Sequence, residues 1–327
     1  MMSLSDAAEL FTNAVNDIKK RVISLDSPLE EIVLKECSQS IAYVDNRGSA
    51  KKDYGFDLWK DADLGLLRKQ GLNERLFYSE SQQFPDFLFK TKRREGNYIR
   101  GSLMELKDSK GSNISSFNST IPTKTKTLEE IDIVNGNKLV SKIASIMDGE
   151  LPPNEDYMKF ERKCLYLVRT QRKSRRVKLS IIDGAFFETI PKERLFHEML
   201  LNVYHRHLEK KGIDTPKETL KEVEKALQCI DDQTIIACSQ LIEKASVRPR
   251  LRIMAEVHPE GNPHSTFYPQ IAEGSFNLIL QSTNEATLLK EELLRYIPDL
   301  EVFPITHKRN GEHLVFQYRP NKSLSGY

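Results

Sequence analysis

The spacing of apolar residues near the start of the chain predicts helices. From Ser5, apolar positions recur every three or four residues, which is the period of one helix face, at Ala8, Phe11, Ala14, Val15, Ile18 and Val22. A second helix should begin at Ser27, because serine can cap a helix and Pro28 suits its first position, and should run to about Ala42. A short third helix is predicted from residue 57 to residue 67. Residues 1–82 are therefore expected to form an N-terminal helical region.

Two segments in the middle of the chain show the features of β-strands instead. Residues 84–89 are aromatic and apolar on either side of an aspartate, and residues 101–107 alternate with a period of two. Because successive side chains of a strand point to opposite faces, one face of the second strand takes Leu103, Glu105 and Lys107. The other face, with Met104 and Leu106, is predicted to be the core side.

The two strands are predicted to bring acidic and basic side chains together. Pro85 has no amide hydrogen and belongs at the first position of its strand, which leaves Asp86 near the strand entrance. A basic turn, Lys90 to Asn97, joins the strands, so an antiparallel hairpin would place Asp86 beside Glu105 and Lys107. Two carboxylates and an ammonium in one small space would repel and be desolvated unless a ligand used them. A hard cation such as Mg²⁺ takes oxygen ligands and is typically held by one or two carboxylates.

This pattern resembles that of the PD-(D/E)xK nuclease superfamily and, within it, of the type II restriction endonucleases. The matching residues are Pro85-Asp86 and Glu105-Leu106-Lys107, with Asp86 and Glu105 19 positions apart. The resemblance implies that Asp86 and Glu105 ligate Mg²⁺, and that Lys107 orients the attacking water or stabilises charge on the phosphorane. An exposed turn aspartate and a solvated Glu/Lys alternation would give the same letters, so the order of the surrounding elements matters.

The segment that follows Lys107 is dense in hydroxyl, amide and lysine side chains. It leaves directly from the predicted catalytic strand, and such groups contact phosphate oxygens and base edges in DNA complexes. A low-complexity linker would have a similar composition, but the position of the segment favours a substrate-contacting loop. The DNA contacts predicted in it are Lys110, Ser112, Asn113, Ser116, Asn118, Ser119, Thr120, Lys124 and Lys126.

Basic residues also cluster between two further predicted strands, residues 164–168 and 177–187. The connection contains Arg169, Arg172, Lys173, Arg175 and Arg176. As a DNA-binding element it would neutralise phosphates, and Arg172 and Lys173 are the predicted contacts. Charge on a solvated hairpin also discourages edge-to-edge pairing of sheets, and both interpretations can hold together.

The remaining pattern completes an α/β architecture. Helices are predicted at 138–147, 191–208, 216–230, 232–245 and 284–296, and strands at 251–257 and 276–280, followed by a hairpin whose turn is Asn310-Gly311. Strand, strand, helix, strand, strand, helix is the order expected of a PD-(D/E)xK core. We therefore predict a restriction-endonuclease-like mixed central β-sheet flanked by helices at 83–210. The α+β region at 211–327 could extend this sheet, form a dimer interface or read DNA.

Composition limits the class of protein and its partners. The chain has 327 residues, of which 29% are charged and 39% hydrophobic, as in globular proteins. A net charge of +2 creates no global attraction to nucleic acid, so DNA binding must depend on local clusters. Four cysteines without CxxC spacing predict buried or inert thiols in a reducing cytoplasm. Because no apolar run has the length of a signal peptide or a membrane span, a cytoplasmic protein without a membrane partner is predicted.

Together these patterns predict a Mg²⁺-dependent enzyme that cuts double-stranded DNA at a short, specific, palindromic sequence. A two-fold homodimer is predicted with it, since it would offer one site to each antiparallel strand. A structure-specific repair or recombination nuclease is the second hypothesis, and a DNA-binding protein with a degenerate site is the third. The sequence contains no P-loop, GxSxG or HExxH motif and gives no support to NTPase, serine hydrolase or metalloprotease activity.

Overall fold

The computed structural model describes residues 6–27, 29, 32, 84–95, 98–114, 116–117, 121–135, 140, 154–188, 192–230 and 255–320. The chain divides into two compact units, one formed by Met1–Glu188 with Met254–Tyr327 and the other by Thr189–Ile253. The helices predicted at 57–67 and 232–245, and nearly all of those predicted at 28–42 and 138–147, lie outside the described residues.

The described chain contains both helices and strands, as an α/β fold requires. Numbered in the order of the described chain, the helices are α1 (Asp6–Lys19), α2 (Leu128–Asn135), α3 (Glu155–Lys159), α4 (Lys192–Lys211), α5 (Lys217–Gln228) and α6 (Asn284–Tyr296). The strands are β1 (Phe87–Glu95), β2 (Tyr98–Asp108), β3 (Ser116–Phe117), β4 (Thr125–Lys126), β5 (Arg162–Thr170), β6 (Lys178–Asp183), β7 (Ala255–Glu256), β8 (Ser275–Gln281), β9 (Glu301–His307) and β10 (Gly311–Tyr318).

A mixed central sheet organises the first unit. Its strand order is β1-β2-β5-β6-β8-β10-β9, and the short β4 pairs with β5 beside this path. The pairs β2/β5 and β6/β8 are parallel, whereas β1/β2, β5/β6, β8/β10 and β10/β9 are antiparallel. The predicted fold class, α/β with a mixed central sheet flanked by helices, is confirmed. The C-terminal strands extend this sheet, which was one of the three roles considered for residues 211–327.

Both faces of the sheet are covered, so the middle of β2 is buried on both sides. On one face, the first core joins α1 and α6 to sheet residues that include Met104 and Leu167, and the rings of Phe11 and Phe276 lie 4.9 Å apart. On the other face, the second core contains Leu103 together with Tyr166. The predicted split of β2 into two faces is correct, but the face that carries Glu105 is also a core face.

Helix α1 uses its apolar stripe inside its own subunit. Ala8, Phe11, Val15 and Ile18 are buried in the first core. The helix ends at Lys19, so Val22, which was predicted to complete the stripe, lies beyond it and is 48% exposed. This stripe is therefore not a surface for a partner subunit.

Two predicted strand boundaries were wrong. The turn predicted from Lys90 belongs to β1 up to Glu95, because its backbone continues to pair with β2 on both sides of an irregularity in register between Lys90 and Arg94. Strand β6 ends at Asp183 rather than Phe187. The Asp183 carboxylate accepts a hydrogen bond from the Ala185 amide at 2.9 Å and starts a 3-10 turn, which stops the ladder.

The second unit contains α4 and α5, close to the helices predicted at 191–208 and 216–230. His205 Nε2 lies 3.2 Å from Glu224 Oε1 and connects the two helices. Across the described parts of both units, no helix combines the length and apolar character needed to cross a bilayer.

A buried histidine in the first unit gives stability a specific pH dependence. His264 is bonded to Thr170 Oγ1 at 2.8 Å and to Ser180 Oγ at 2.7 Å, and burial, with a smaller effect of the Lys178 charge, lowers its pKa to about 3. The unfolded chain binds a proton here below about pH 6.5, whereas the folded chain does not until about pH 3. The free energy of unfolding should therefore fall as pH drops through this window, by about 3 kcal/mol at pH 4.

Chemical denaturation at pH 7 and pH 4 checks this prediction. The difference in unfolding free energy between the two pH values should shrink in His264→Gln and stay as in the wild type in the matched control His258→Gln, whose side chain is exposed. An equal pH dependence in wild type and His264→Gln would contradict the assigned role of the buried imidazole.

Candidate active site

The β1/β2 hairpin places Asp86 against the strand that carries Glu105 and Lys107. Phe87 pairs with Met104, so Asp86 stands at the level of Glu105. The Leu106 amide donates a hydrogen bond of 2.7 Å to Asp86 Oδ2. The Asp86 carboxylate is thus fixed on the backbone between the two predicted catalytic side chains.

Glu105 has one paired and one unpaired carboxylate oxygen. The residue is only 6% exposed, and its Oε1 accepts a hydrogen bond of 2.9 Å from Lys107 Nζ. Its Oε2 is buried and has no hydrogen-bond partner among the described residues. Buried polar atoms are nearly always satisfied, because an unmade hydrogen bond costs about 1–3 kcal/mol. An oxygen in this state would have no protein donor to give up when a cation binds it.

The ammonium group of Lys107 lies over the face of an aromatic ring. Its Nζ lies 5.0 Å from the centroid of the Phe117 ring, and its side chain is 17% exposed. Tyr166, the neighbour of Glu105 on β5, is fully buried, and burial raises its pKa well above the ordinary value. Burial likewise raises the pKa of Cys164 to about 12, in keeping with the predicted inert thiol. Neither residue adds negative charge at neutral pH.

The donor set fits a hard divalent cation. Asp86, just before β1, and Glu105 on β2 offer carboxylate oxygens, and Glu105 Oε2 has no donor among the described residues. Within the described ranges no group of three or more His, Cys, Asp and Glu side chains is arranged to hold a metal. Mg²⁺ commonly uses one or two carboxylates and completes its shell with water and substrate phosphate, so two carboxylates are compatible with it.

The polar segment after β2 is anchored to the protein where it is described. Ile114 and Phe117 are buried in the second core, and β3 pairs with β7. The Gly111 carbonyl accepts a hydrogen bond of 2.8 Å from the Gln171 amide. Among the predicted DNA contacts, Lys110, Ser112 and Asn113 are exposed and Ser116 is half-buried, whereas Asn118, Ser119 and Thr120 lie outside the described residues. The anchoring favours a structured loop over a linker.

Lys124 and Lys126 are engaged within the protein. Lys124 Nζ donates to Gln281 Oε1 at 3.0 Å. Lys126 is 7% exposed, and its Nζ donates to the Ile121 carbonyl at 2.9 Å. The contact of these two lysines with DNA stays a prediction, and the structure already gives each ammonium a partner of its own.

Close backbone packing fixes the segment around these lysines. A Cβ atom on Gly184 would lie 2.1 Å from the Thr123 carbonyl oxygen, so only glycine allows this approach. The Thr123 amide in turn donates to the Tyr166 hydroxyl at 3.3 Å. This hydrogen bond connects the segment to β5 at Tyr166, the residue that pairs with Glu105.

The basic connection between β5 and β6 contains one buried and several exposed cations. Arg169 is 1% exposed and grips Asp108 with Nε at 3.0 Å from Oδ1 and Nη2 at 2.6 Å from Oδ2. Its Nη1 donates to the carbonyls of Leu25 and Ser27. Arg169 therefore connects the turn after α1 to the ends of β2 and β5. The sequence pattern gave no sign that this arginine would be buried.

The other cations of this connection have different neighbours. Arg172 Nη1 donates to Asp108 Oδ2 at 2.9 Å, and the Lys173 amide donates to Asp26 Oδ1 at 2.7 Å, which leaves the Lys173 side chain exposed. Backbone hydrogen bonds join this connection to the loop at 109–113. We call the resulting exposed cations, Lys110, Lys173, Arg175 and Arg176, the basic surface.

Sequence reasoning missed two further features near the site. Phe117 is the sole aromatic residue in the polar segment 108–124, and that isolation was a signal that it packs. Thr127 and Glu130 form a capping box at the start of α2, with the Thr127 amide donating to Glu130 Oε2 at 2.8 Å. The Thr-x-x-Glu spacing could have been recognised in sequence.

Comparison of the chain with protein-family models, with curated proteins and with solved structures found no match. The assignment of the site therefore depends on the geometry of its own side chains.

Proposed function

We propose that this protein is a Mg²⁺-dependent endonuclease that hydrolyses double-stranded DNA at a short, specific, palindromic sequence, as type II restriction endonucleases do. The observation that supports it most is the buried Glu105, whose Oε1 accepts a hydrogen bond from Lys107 and whose Oε2 has no partner among the described residues. A solvated Glu/Lys alternation, the simpler alternative, would leave both side chains in water.

The residues of the site can divide the chemistry among them. Mg²⁺, when bound by Asp86 and Glu105, would polarise the phosphate and lower the pKa of a bound water. One N–H group of Lys107 Nζ donates to Glu105, and the other two can donate to a water molecule or a phosphate oxygen. The bond from Leu106 fixes Asp86, so its orientation is set before substrate arrives.

The basic surface gives the proposal a measurable electrostatic consequence. Lys110→Ala and Lys173→Ala should each weaken DNA binding and reduce the slope of log Kd against log salt by about one per lost phosphate contact. The control is Lys290→Ala, which removes an exposed lysine of α6. Titration of a labelled duplex at several salt concentrations measures the slopes. Unchanged slopes in both loop variants would show that these lysines do not face DNA.

A homodimer is part of the proposal because the chain has one copy of the motif and a duplex has two strands. Sedimentation of the free protein and of its complex with a duplex checks this prediction. Two protomers per duplex are expected, and one protomer per duplex with sequential nicking would contradict it.

DNA as substrate agrees with the predicted cytoplasmic location, and the buried Cys164 thiol requires no oxidising compartment.

Digestion of supercoiled plasmid with Mg²⁺, followed by mapping of the ends, tests the function directly. Discrete fragments with fixed ends are expected. Nicking that follows DNA structure rather than sequence would indicate a repair nuclease, and intact DNA with a gel shift would indicate a binding protein with a degenerate site.

A further inference from the structure

Phe117 belongs to the polar segment after β2 and lies against the proposed catalytic lysine, Lys107. It is 3% exposed, and its ring makes edge-to-face contacts with Tyr166 at 5.3 Å and with Phe187 at 5.2 Å. Tyr166 and Phe187 also contact each other at 5.0 Å. Three mutually packed rings on β3, β5 and the turn after β6 leave the Phe117 ring little freedom to move.

The face of this ring is a second anchor for Lys107. A lysine ammonium is normally solvated, and its four-carbon side chain is flexible. Here Nζ lies 5.0 Å from the Phe117 centroid and 2.9 Å from Glu105 Oε1. The negative face of an aromatic ring attracts a cation, and the attraction is stronger when water is excluded. Carboxylate and ring together restrict where the remaining N–H groups can point.

We propose that Phe117 is a positioning residue that holds the Lys107 ammonium beside Glu105 through the face of its ring. The inference deepens the proposed function and rests on it for its effect on cleavage. It also gives the hydroxyl-rich loop a role in the chemistry, since Phe117 belongs to that loop and β3 is fixed by its pairing with β7.

Fluorination separates the electrostatic role of the ring from its packing. 3,4,5-Trifluorophenylalanine keeps the shape of phenylalanine and removes most of the negative potential of the ring face, so it is introduced at position 117. The control carries the same replacement at Phe187, which packs in the same cluster. Phe117→Leu serves as a second variant that removes the ring but remains apolar.

Two readouts are measured on the full-length protein. Cleavage of a plasmid substrate gives kcat and KM, and we expect kcat to fall about tenfold at position 117 with KM unchanged. Acylation by an N-hydroxysuccinimide ester, without DNA or Mg²⁺, gives the labelling rate of Lys107 by mass spectrometry relative to Lys290. We expect labelling to become several-fold faster when the ring is fluorinated at 117.

The two readouts test the positioning role of Phe117 and the proposed nuclease function independently of each other. Loss of kcat and faster labelling with fluorination at 117, but not at 187, would support the positioning role. Unchanged labelling and unchanged kcat with fluorination at 117 would overturn it while the nuclease stands, as would equal effects at both positions. A wild-type protein that cuts no DNA would refute the proposed function, and the labelling rate would still decide whether Phe117 holds Lys107.

Discussion

Replacement of Glu105 by alanine is expected to abolish DNA cleavage, with a loss of about a thousandfold or more, while the protein remains folded. Glu105 Oε1 holds Lys107 and Oε2 has no partner among the described residues, so the variant removes the proposed cation ligand and also releases the lysine. Removal of a group that stabilises charge in a transition state typically costs 10²–10³-fold, and here about two such effects are lost at once. Initial rates on plasmid DNA with Mg²⁺ measure the loss.

The same variant should lower the free energy of unfolding only modestly without metal, because the unsatisfied Oε2 offsets much of the bond that Oε1 accepts from the partly exposed Lys107. Addition of Mg²⁺ should raise the unfolding temperature of the wild type more than that of Glu105→Ala. The matched control is Glu129→Ala, which alters an exposed glutamate of α2. Cleavage at the wild-type rate in Glu105→Ala would refute the active-site assignment, even if the protein were a nuclease.

Replacement of Arg169 by methionine is expected to destabilise the first unit by about 2–4 kcal/mol, because the buried guanidinium bonds to an exposed carboxylate and to two backbone carbonyls. The change leaves Asp108 with Arg172 and deprives the Leu25 and Ser27 carbonyls of their donor. Arg169→Lys should recover only part of this loss, because an ammonium cannot grip a carboxylate with two parallel bonds. Urea denaturation at neutral pH measures all three proteins.

A second arginine of the same connection provides the control. Arg176 is largely exposed, and its Nε lies 3.8 Å from Glu273 Oε1, too far for a good hydrogen bond. Arg176→Met should therefore leave the free energy of unfolding almost unchanged. Equal losses in Arg169→Met and Arg176→Met would show that the hydrogen bonds of the buried Arg169 guanidinium are not what stabilises this end of the sheet.

Local patterns predicted the elements well where the signal is short-range. The apolar run at 164–168, the strand at 276–280 and the Asn310-Gly311 hairpin all appear as expected. The alternation of β2 correctly placed Glu105 and Lys107 on one face, because strand geometry fixes the period. The end of β6 was wrong because the Asp183 cap, rather than any loss of apolar character, stops the strand.

Long-range pairing was beyond the sequence pattern. No local sequence pattern shows that β6 pairs with β8, which follows it in sequence only after residues 189–253. No local pattern shows that both sheet faces are covered either. In the candidate site, the hairpin brought Asp86 to β2 as predicted, but Phe117 and Arg169 were not foreseen. Their roles depend on residues distant in sequence, Lys107 for the first and the turn after α1 for the second. The catalytic roles of Asp86, Glu105 and Lys107 stay a prediction.

The strand order also determines when a growing chain can fold. β6 obtains its parallel neighbour β8 only after the whole second unit has been synthesised, and β10 is needed to complete the sheet. A nascent chain that has emerged as far as residue 253 has an unpaired β6 edge, and its first core lacks Phe276, Leu278, Leu293 and Phe316. If the protein is the nuclease proposed above, we therefore expect cleavage activity only after β10 has left the ribosome, so that chains terminated before β10 would leave DNA intact.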